Sequence, residues 1–216
     1  LSLENPSLAV RLGEDFLYIC CMSPFISIVI PFYGTADPVL LQRCLDSIRQ
    51  QGMEEGSYEI IVADDNGKGL GGARNQGIRQ ATGTYLMFVD ADDYLFPNLS
   101  YCFSYLLKYT PDICSFQMCE VNRAGVIPQS FNYKWEVYES GAEYMSKNNF
   151  MGTAWRHFFS RSFLNIHGLA FAESCFHEDE DFVAKAYCLA STTLITDYPV
   201  YAYFRSSSSI IHERAL

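Results

Sequence analysis

Three hydrophobic runs in the first half of the chain have the composition of buried β-strands, rich in β-branched and aromatic residues. They occupy residues 25–30, 58–63 and 85–89. After the first run, Asp37 and Pro38 mark a helix start, and apolar residues follow at helical spacing. After the second run, a glycine-rich stretch over 67–72 leads into a short helix predicted over about 73–81. This strand–helix order predicts a parallel sheet with right-handed crossovers.

The second half of the chain mixes shorter elements. Helices are predicted from Pro97 to about Lys108, over about 140–148, and from the acidic run at 177–182 to about Ala190. Strands are predicted over 113–119, 192–196 and 199–204, with a hairpin or loop region at 121–138. Residues 1–24 show no strong pattern, and we expect them to form a weakly structured leader before a single domain over 25–216.

The composition is that of one globular domain. The chain has 216 residues, of which 49% are hydrophobic and 19% charged, so it can bury a core and is not disordered. No apolar run reaches the roughly 18 residues that span a bilayer, and charged residues interrupt the first 22 residues, which argues against a signal peptide. The net charge of -10 argues against a nucleic-acid partner. The eight cysteines form no CxxC pair, which indicates reduced, mostly buried thiols.

Acidic residues follow two of the three early strands. Asp64 and Asp65 end the second run, and Asp90, Asp92 and Asp93 follow the third. In an open parallel sheet, ligands bind at the carboxyl ends of the strands. Clustered carboxylates repel one another unless a cation lies among them, and Mg²⁺ or Mn²⁺ takes one or two carboxylates together with phosphates and water. The pattern therefore favours a metal–diphosphate site over the alternative, a polar turn after each strand.

Seven motifs follow one another along the chain in a specific order. They are Ser27-Ile-Val-Ile-Pro-Phe-Tyr, Cys44-Leu-Asp-Ser-Ile, Glu59-Ile-Ile-Val-Ala-Asp-Asp, Gly69-Leu-Gly-Gly-Ala-Arg-Asn-Gln-Gly, Gly83-Thr-Tyr-Leu-Met-Phe-Val-Asp-Ala-Asp-Asp, Glu178-Asp-Glu-Asp-Phe, and Tyr203-Phe-Arg with Ser209-Ile. Each motif alone is loose, but in this order they resemble the family 2 glycosyltransferases over residues 25 to about 211.

The resemblance implies a GT-A fold, which is a Rossmann-like three-layer α/β/α sandwich with a mostly parallel central sheet. Residues 25–110 would form the nucleotide-binding half and residues 111–216 the acceptor-side half. The implied reaction transfers a sugar, as a hexosyltransferase does and usually with inversion, from a nucleoside diphosphate to a saccharide or lipid-linked saccharide. UDP-sugar donors, Mn²⁺ or Mg²⁺ as cofactor, and bacterial surface-polysaccharide assembly in the cytoplasm, with peripheral contact at the inner face of the membrane, are further expectations from the family.

The same resemblance assigns residues to the nucleotide. Pro31 and Tyr33 match the strand end that lines the nucleotide pocket, and Asp65 matches the acid that contacts the base. Arg74 matches an arginine near the nucleotide. Arg205 is a candidate for steadying the diphosphate or an anionic acceptor, and a surface arginine is an equally good interpretation.

The remaining assignments concern the metal and the base. Asp90 resembles the first acid of an Asp-x-Asp motif, near ribose and sugar, while Asp92 resembles the acid that meets the metal. Asp93 is a candidate residue of the same metal site, behind the direct ligand. A transfer of this kind needs one carboxylate to deprotonate the acceptor hydroxyl. Asp179, with Glu178 as its neighbour, resembles that base, and like charges around it would raise its pKa. The alternative is a set of helix-start acids stabilised by the helix dipole.

The stretch between the second strand and the Ala-Arg-Asn helix is unusually short. The family usually places about one helix and one strand there, so a segment is either deleted or omitted from this sequence. The short stretch also reads as G-x-G-x-x-G over 67–72, with Asp90 18 residues beyond it, which is near the dinucleotide-binding fingerprint. We rank this dinucleotide alternative lower because Asp64 and Asp65 would repel a pyrophosphate. A third hypothesis is a catalytically degenerate domain that binds a nucleotide sugar or a partner without turnover.

Overall fold

The computed structural model describes residues 8–12, 15–19, 23–32, 37–97, 99–122, 124–127, 129–149 and 151–205. The strands are β1 (Leu8–Leu12), β2 (Asp15–Ile19), β3 (Ile26–Phe32), β4 (Tyr58–Asp64), β5 (Tyr85–Phe88), β6 (Tyr94–Leu95), β7 (Ile113–Asn122), β8 (Gly125–Val126), β9 (Trp135–Tyr138), β10 (His157–Ser160) and β11 (Thr193–Phe204). The helices are α1 (Pro38–Arg49), α2 (Gly69–Gln80), α3 (Ser100–Tyr109), α4 (Gly141–Lys147), α5 (Arg161–Ile166) and α6 (Glu178–Leu189), with a 3-10 turn over Ala154–Arg156.

A mixed, mostly parallel sheet forms the centre of the fold. Its strand order is β4-β3-β5-β10-β7-β11-β6, with β8 beside β7 and β9 beside β11. Strand β3 runs parallel to β4 and β5, and β7 runs parallel to β11. Strand β10 is antiparallel to both of its neighbours, β5 and β7. The predicted three-layer α/β/α class is therefore confirmed, and the carboxyl ends of the parallel strands lie along one edge.

Alternation along the central strands divides the core between the two faces of the sheet. Ile28 and Ile30 of β3 pack on the face covered by α1 and α3, whereas Val29 packs on the face covered by α2, α5 and α6. Met87 and Phe88 of β5 divide in the same way. Successive side chains of a strand point to opposite faces, so a run that is hydrophobic throughout is typical of a sheet buried on both sides.

Several elements differ from the sequence prediction. Helix α2 begins at Gly69, about four residues earlier than predicted, so most of the glycine-rich stretch is helical. Strand β11 is one strand where we predicted two, because its pairing with β7 continues through register shifts around Pro199. Strands β1 and β2 form an antiparallel hairpin within the leader, which we expected to be weakly structured.

The cysteines and the lengths of the helices bear on two further expectations, reduced thiols and the lack of a membrane-spanning segment. Of the six cysteines that the structure describes, none is in a disulfide, and four are buried. Cys175 and Cys188 are exposed, so the described thiols are mostly buried, as expected. Within the described ranges, no helix has the length and apolar character needed to cross a membrane.

Candidate active site

Residues 90–93, which we call the acidic turn, follow β5 at the carboxyl edge of the sheet. The Asp93 N–H donates to the Asp90 carbonyl at 3.0 Å, which closes the turn. The Asp90 N–H donates to the Tyr201 hydroxyl oxygen at 3.0 Å, and that hydroxyl donates to Asp93 Oδ2 at 2.8 Å. The remaining oxygen, Asp93 Oδ1, accepts from the Phe204 N–H at 2.7 Å. The end of β11 therefore holds the acidic turn in place.

Asp93 is a structural residue in this arrangement and not an open metal ligand. It is 1% exposed, and both of its carboxylate oxygens accept hydrogen bonds from β11. Burial, and then the nearby charges of Asp90 and Asp92, raise the pKa of its carboxyl group well above the usual range. This arrangement argues against direct contact between Asp93 and a metal ion, and a place for Asp93 behind the metal ligand stays a prediction. The sequence reasoning also missed Tyr201, because nothing near it in the sequence indicates a partner 108 residues away.

Asp92 is the exposed member of the acidic turn. Its backbone carbonyl accepts a hydrogen bond from Arg43 Nη2. Surrounding protein atoms and the charge of Asp90 raise the pKa of its carboxyl group. Because it is exposed, the Asp92 side chain is the one in this turn that is best placed to meet a cation from solvent.

Arg74 connects the acidic turn to the start of α6. Its Nη1 donates to Glu178 Oε1 at 2.7 Å and its Nη2 donates to Asp90 Oδ1 at 3.2 Å, while its guanidinium carbon lies 5.4 Å from the centre of the Phe171 ring. The Arg74 side chain is 2% exposed and that of Glu178 is 8% exposed. Removing one partner from such a buried pair leaves an uncompensated charge, so the two elements are held together firmly. The predicted contact of Arg74 with a nucleotide stays a prediction, and its burial favours a positioning role.

Asp179 follows this pair at the start of α6. It is half-buried, and its Oδ1 accepts from the Glu180 N–H at 3.0 Å. Burial is the main cause that raises the pKa of its carboxyl group, Arg74 opposes the rise, and Glu178 adds to it. The expected direction is confirmed, but desolvation outweighs the repulsion between like charges that we had expected to act.

Helix α2 fixes the segment that leads into α6. The Asn75 side chain donates to the Phe171 carbonyl at 2.9 Å and accepts from the Phe171 N–H at 2.8 Å. A Cβ at Gly71 would lie 2.1 Å from the carbonyl oxygen of Ala172, so only glycine permits this approach. Lys68 Nζ pairs with Glu173 at 3.0 Å. Asn75 was not predicted as a site residue, although it lies within the Ala-Arg-Asn motif.

Two of the glycines within 67–72, Gly71 and Gly72, allow close packing, whereas Gly67 and Gly69 have a positive φ. Besides the contact at Gly71, a Cβ at Gly72 would lie 2.5 Å from the Lys68 side chain. The first turn of α2 is also capped, because Asp65 Oδ2 accepts from the Gly69 N–H at 3.1 Å. A dinucleotide pyrophosphate would need that helix end for itself. These contacts oppose the dinucleotide alternative.

The other predicted nucleotide residues are scattered around this edge. Pro31 is buried in β3, opposite Ala63 of β4. Arg205 is mostly exposed and pairs with Glu120 at 2.8 Å, so the structure gives it an ion-pair partner at the end of β11. Tyr33 lies outside the described residues. Asp65 caps α2, as described above, and its contact with a base stays a prediction.

The donor set of the acidic turn fits Mg²⁺ or Mn²⁺. Such an ion takes oxygen ligands and is commonly bound by one or two carboxylates together with phosphate and water. Asp92 offers an exposed carboxylate, and Asp90 is partly exposed beside it. In the part of the chain that the structure describes, no group of three or more His, Cys, Asp or Glu side chains is arranged to hold a metal ion.

The chain is similar in sequence to known glycosyltransferases. A family model described as "Glycosyl transferase family 2" matches residues 27–68 and 65–165. The uncharacterized glycosyltransferase EpsJ of Bacillus subtilis (strain 168) is 28% identical over 227 residues, which cover 88% of this chain and 63% of EpsJ. The poly(ribitol-phosphate) beta-glucosyltransferase of Bacillus spizizenii is 37% identical over 97 residues, which cover 32% of this chain and 15% of that protein.

Solved structures show the same fold. The crystal structure of S. aureus TarS 1-349 in complex with UDP-GlcNAc superposes with a TM-score of 0.70 at 20% sequence identity, and covers 88% of this chain and 61% of that chain. This chain therefore spans less than two thirds of EpsJ and of TarS 1-349.

The comparisons also bear on the short stretch before α2. The two matches to the family model meet at residues 65–68, where the sequence suggested a missing segment. The EpsJ alignment runs over 227 residues although it covers 88% of a 216-residue chain, so EpsJ carries residues that have no counterpart here. Because the family model matches more than half of the sequence, this chain belongs to glycosyl transferase family 2.

Proposed function

We propose that this chain carries the donor site and the catalytic base of a metal-dependent glycosyltransferase. The observation that carries the proposal is the bridge from Asp90 through Arg74 to Glu178, at 3.2 and 2.7 Å. It unites residues that are 104 positions apart at the edge of the sheet where ligands of α/β proteins bind. The acidic turn and Asp179 are thereby parts of one site.

The acidic turn is the proposed donor side. Asp92, with help from Asp90, would hold Mg²⁺ or Mn²⁺, and such an ion stabilises the charge that develops on a leaving diphosphate. A UDP-sugar is the favoured donor, since the TarS structure that shares this fold has UDP-GlcNAc bound. Pro31, Tyr33, Asp65 and Arg205 remain proposed nucleotide contacts.

Asp179 is the proposed general base. It would accept the proton of an acceptor hydroxyl while the hydroxyl oxygen attacks the anomeric carbon on the side opposite the leaving diphosphate. This single displacement inverts the anomeric configuration. A base works best when its pKa approaches the working pH, and burial moves the pKa of Asp179 in that direction. Glu178 is paired with Arg74, so its proposed contribution is to hold that arginine beside the base.

The acceptor is proposed to be a saccharide or a lipid-linked saccharide, in glycoconjugate or polysaccharide synthesis. The names of the related proteins support this class of reaction. Action in the cytoplasm with peripheral membrane contact belongs to the same proposal.

A second candidate function is a degenerate domain that binds a nucleotide sugar without transferring it. The short stretch before α2 favours it, because a wall of the nucleotide pocket would be altered there. The retained contacts among Asp90, Arg74 and Glu178 favour an active enzyme.

Calorimetric titration with UDP, GDP and NAD, each with Mn²⁺ and again with EDTA, tests the proposal. We expect UDP to bind with Mn²⁺ and to bind much more weakly with EDTA. Release of UDP from UDP-GlcNAc in water would then show turnover, whereas binding without any release would support the degenerate domain. NAD binding in EDTA would overturn the proposal in favour of a dinucleotide site.

A further inference from the structure

Arg43 of α1 is a second arginine, besides Arg74, that binds the acidic turn. Its Nη2 donates to the backbone carbonyl of Asp92. Its guanidinium carbon lies 4.8 Å from the centre of the Tyr94 ring and 4.2 Å from that of Phe204. Two aromatic rings therefore hold the guanidinium group while it binds the turn, and cation–π contacts of this kind are stabilising.

These contacts join three separate elements to α1. Tyr94 lies in β6, Phe204 ends β11, and Asp92 lies in the acidic turn. The Phe204 N–H also donates to Asp93, so Arg43 packs against a residue that itself holds the turn. Arg43 is thus the place where α1 meets the acidic turn.

The two arginines bind different groups of the acidic turn. Arg74 binds the carboxylate of Asp90 directly, whereas Arg43 binds the carbonyl oxygen of Asp92. A bond to the carbonyl fixes the backbone, and the guanidinium group of Arg43 does not occupy the Asp92 carboxylate through that bond.

We propose that Arg43 is a positioning residue that orients Asp92 toward the donor-bound metal ion. The inference rests on the proposed function for the metal, but not for the positioning itself, which can be measured without ligand. None of the seven family motifs includes Arg43, since the second begins at Cys44.

Whether replacement of Arg43 strengthens or weakens metal binding separates a positioning role from a purely electrostatic one. A positive charge near Asp92 repels a cation, so removal of the charge alone would strengthen metal binding. Loss of the positioning bond would weaken it, because residues that orient metal ligands typically contribute about 10–100-fold to affinity. Arg43→Met removes both the charge and the bond, and Arg43→Lys keeps the charge but loses the planar group that fits between two rings.

The test compares the wild type, Arg43→Met and Arg43→Lys, with Arg49→Met as the control. Arg49 lies on the same helix, is mostly exposed, and pairs only with Asp46 among the ion pairs of the described residues. The first measurement is Mn²⁺ affinity in the presence of UDP, from the electron paramagnetic resonance signal of free Mn²⁺. The second is amide hydrogen exchange without ligand at Asp90, Asp93 and Leu95, whose N–H groups are hydrogen-bonded.

Positioning predicts that both Arg43 variants bind Mn²⁺ about tenfold more weakly and that their three amides exchange faster, while Arg49→Met matches the wild type. Tighter Mn²⁺ binding by Arg43→Met, or unchanged exchange at the turn, would overturn the inference. If the wild type binds no Mn²⁺ with UDP, the proposed function fails, and the exchange rates alone decide the role of Arg43. Thermal unfolding of each variant checks that it is folded.

Discussion

Three aspartates within four residues of the acidic turn occupy three different environments. Asp90 is paired with Arg74, Asp92 is exposed, and Asp93 is buried under β11. Environment, not residue type, sets the chemistry of each carboxylate. The presence of an acidic site could be predicted from the sequence, because three acids directly follow the hydrophobic run that forms β5. The division of roles could not, because Tyr201 and Phe204 decide it from more than 100 residues away.

Replacement of the proposed base should separate chemistry from binding. We expect Asp179→Asn to lower kcat by about 10²–10⁴-fold, the usual contribution of a general base, while the affinity for UDP with Mn²⁺ stays near that of the wild type. Steady-state kinetics and calorimetry measure the two quantities. Asp181→Asn is the matched control, since Asp181 lies two residues away on α6, is exposed, and pairs with Lys185. An equal loss of turnover and UDP affinity in Asp179→Asn would contradict the base role.

The same replacement should make the protein more stable at neutral pH. The folded state raises the pKa of Asp179, so folding favours the protonated form. The stability that this group contributes is present below its unfolded pKa and is lost as the pH rises through its folded pKa. Asparagine resembles the protonated acid, and we therefore expect Asp179→Asn to melt above the wild type at pH 7, with the difference closing as the pH falls toward the unfolded pKa.

Thermal unfolding over a pH series measures this difference. Asp181→Asn should show the opposite sign at pH 7, because it loses a surface ion pair and a favourable contact with the helix dipole, together about 0.3–1 kcal/mol. A wild type that is more stable than Asp179→Asn at pH 7 would show that ionised Asp179 is stabilised in the fold.

At the scale of elements, α2 positions the segment that follows residue 170 and leads to the proposed base. Its glycines allow close contact with that segment, its Asn75 binds the Phe171 backbone, and its Arg74 binds Glu178. A helix could be predicted here from the sequence, but its start at Gly69 could not, because glycine is a poor helix former and tertiary packing decides the boundary. The glycine spacing over 67–72 matches a dinucleotide-binding loop, but in the structure Gly71 serves close packing of α2 against the segment after residue 170.

Removal of the Asn75 amide should loosen this connection. Asn75→Ala leaves the N–H and C=O of Phe171 without their partners, which should lower the free energy of unfolding by about 1–3 kcal/mol. We also expect kcat to fall more than Mn²⁺–UDP affinity, since the segment leads directly to Asp179 and reaches the acidic turn only through Glu178 and Arg74. Denaturant unfolding and steady-state kinetics measure the two effects. Asn165→Ala, an exposed position on α5, should stay within about 0.5 kcal/mol of the wild type.

At the scale of the whole molecule, one sheet joins the two halves of the chain. Strand β10, from the second half, pairs with β5 and β7 and thereby links the nucleotide-side strands to the rest of the sheet. The early parallel strands were predictable, because hydrophobic runs alternating with helices are a local signal. The insertion of antiparallel β10, and the continuation of β11 past Pro199, depend on long-range pairing and leave no local pattern. The two halves share one continuous sheet. That residues 25–110 bind the nucleotide and residues 111–216 face the acceptor stays a prediction.

Because the proposed donor site is built from both halves, its ligand should stabilise the whole domain. A ligand that binds only the folded state at about 100 times its Kd adds roughly 2.7 kcal/mol, which for a chain of this size corresponds to a rise in Tm of roughly 5–10 °C. We expect this rise with UDP and Mn²⁺ together, a much smaller one with UDP and EDTA, and none with NAD. Asp92→Asn should lose most of the rise, whereas Asp46→Asn, a partly exposed substitution on α1, should keep it. A rise that is equal with Mn²⁺ and with EDTA would show that the nucleotide binds without the acidic turn.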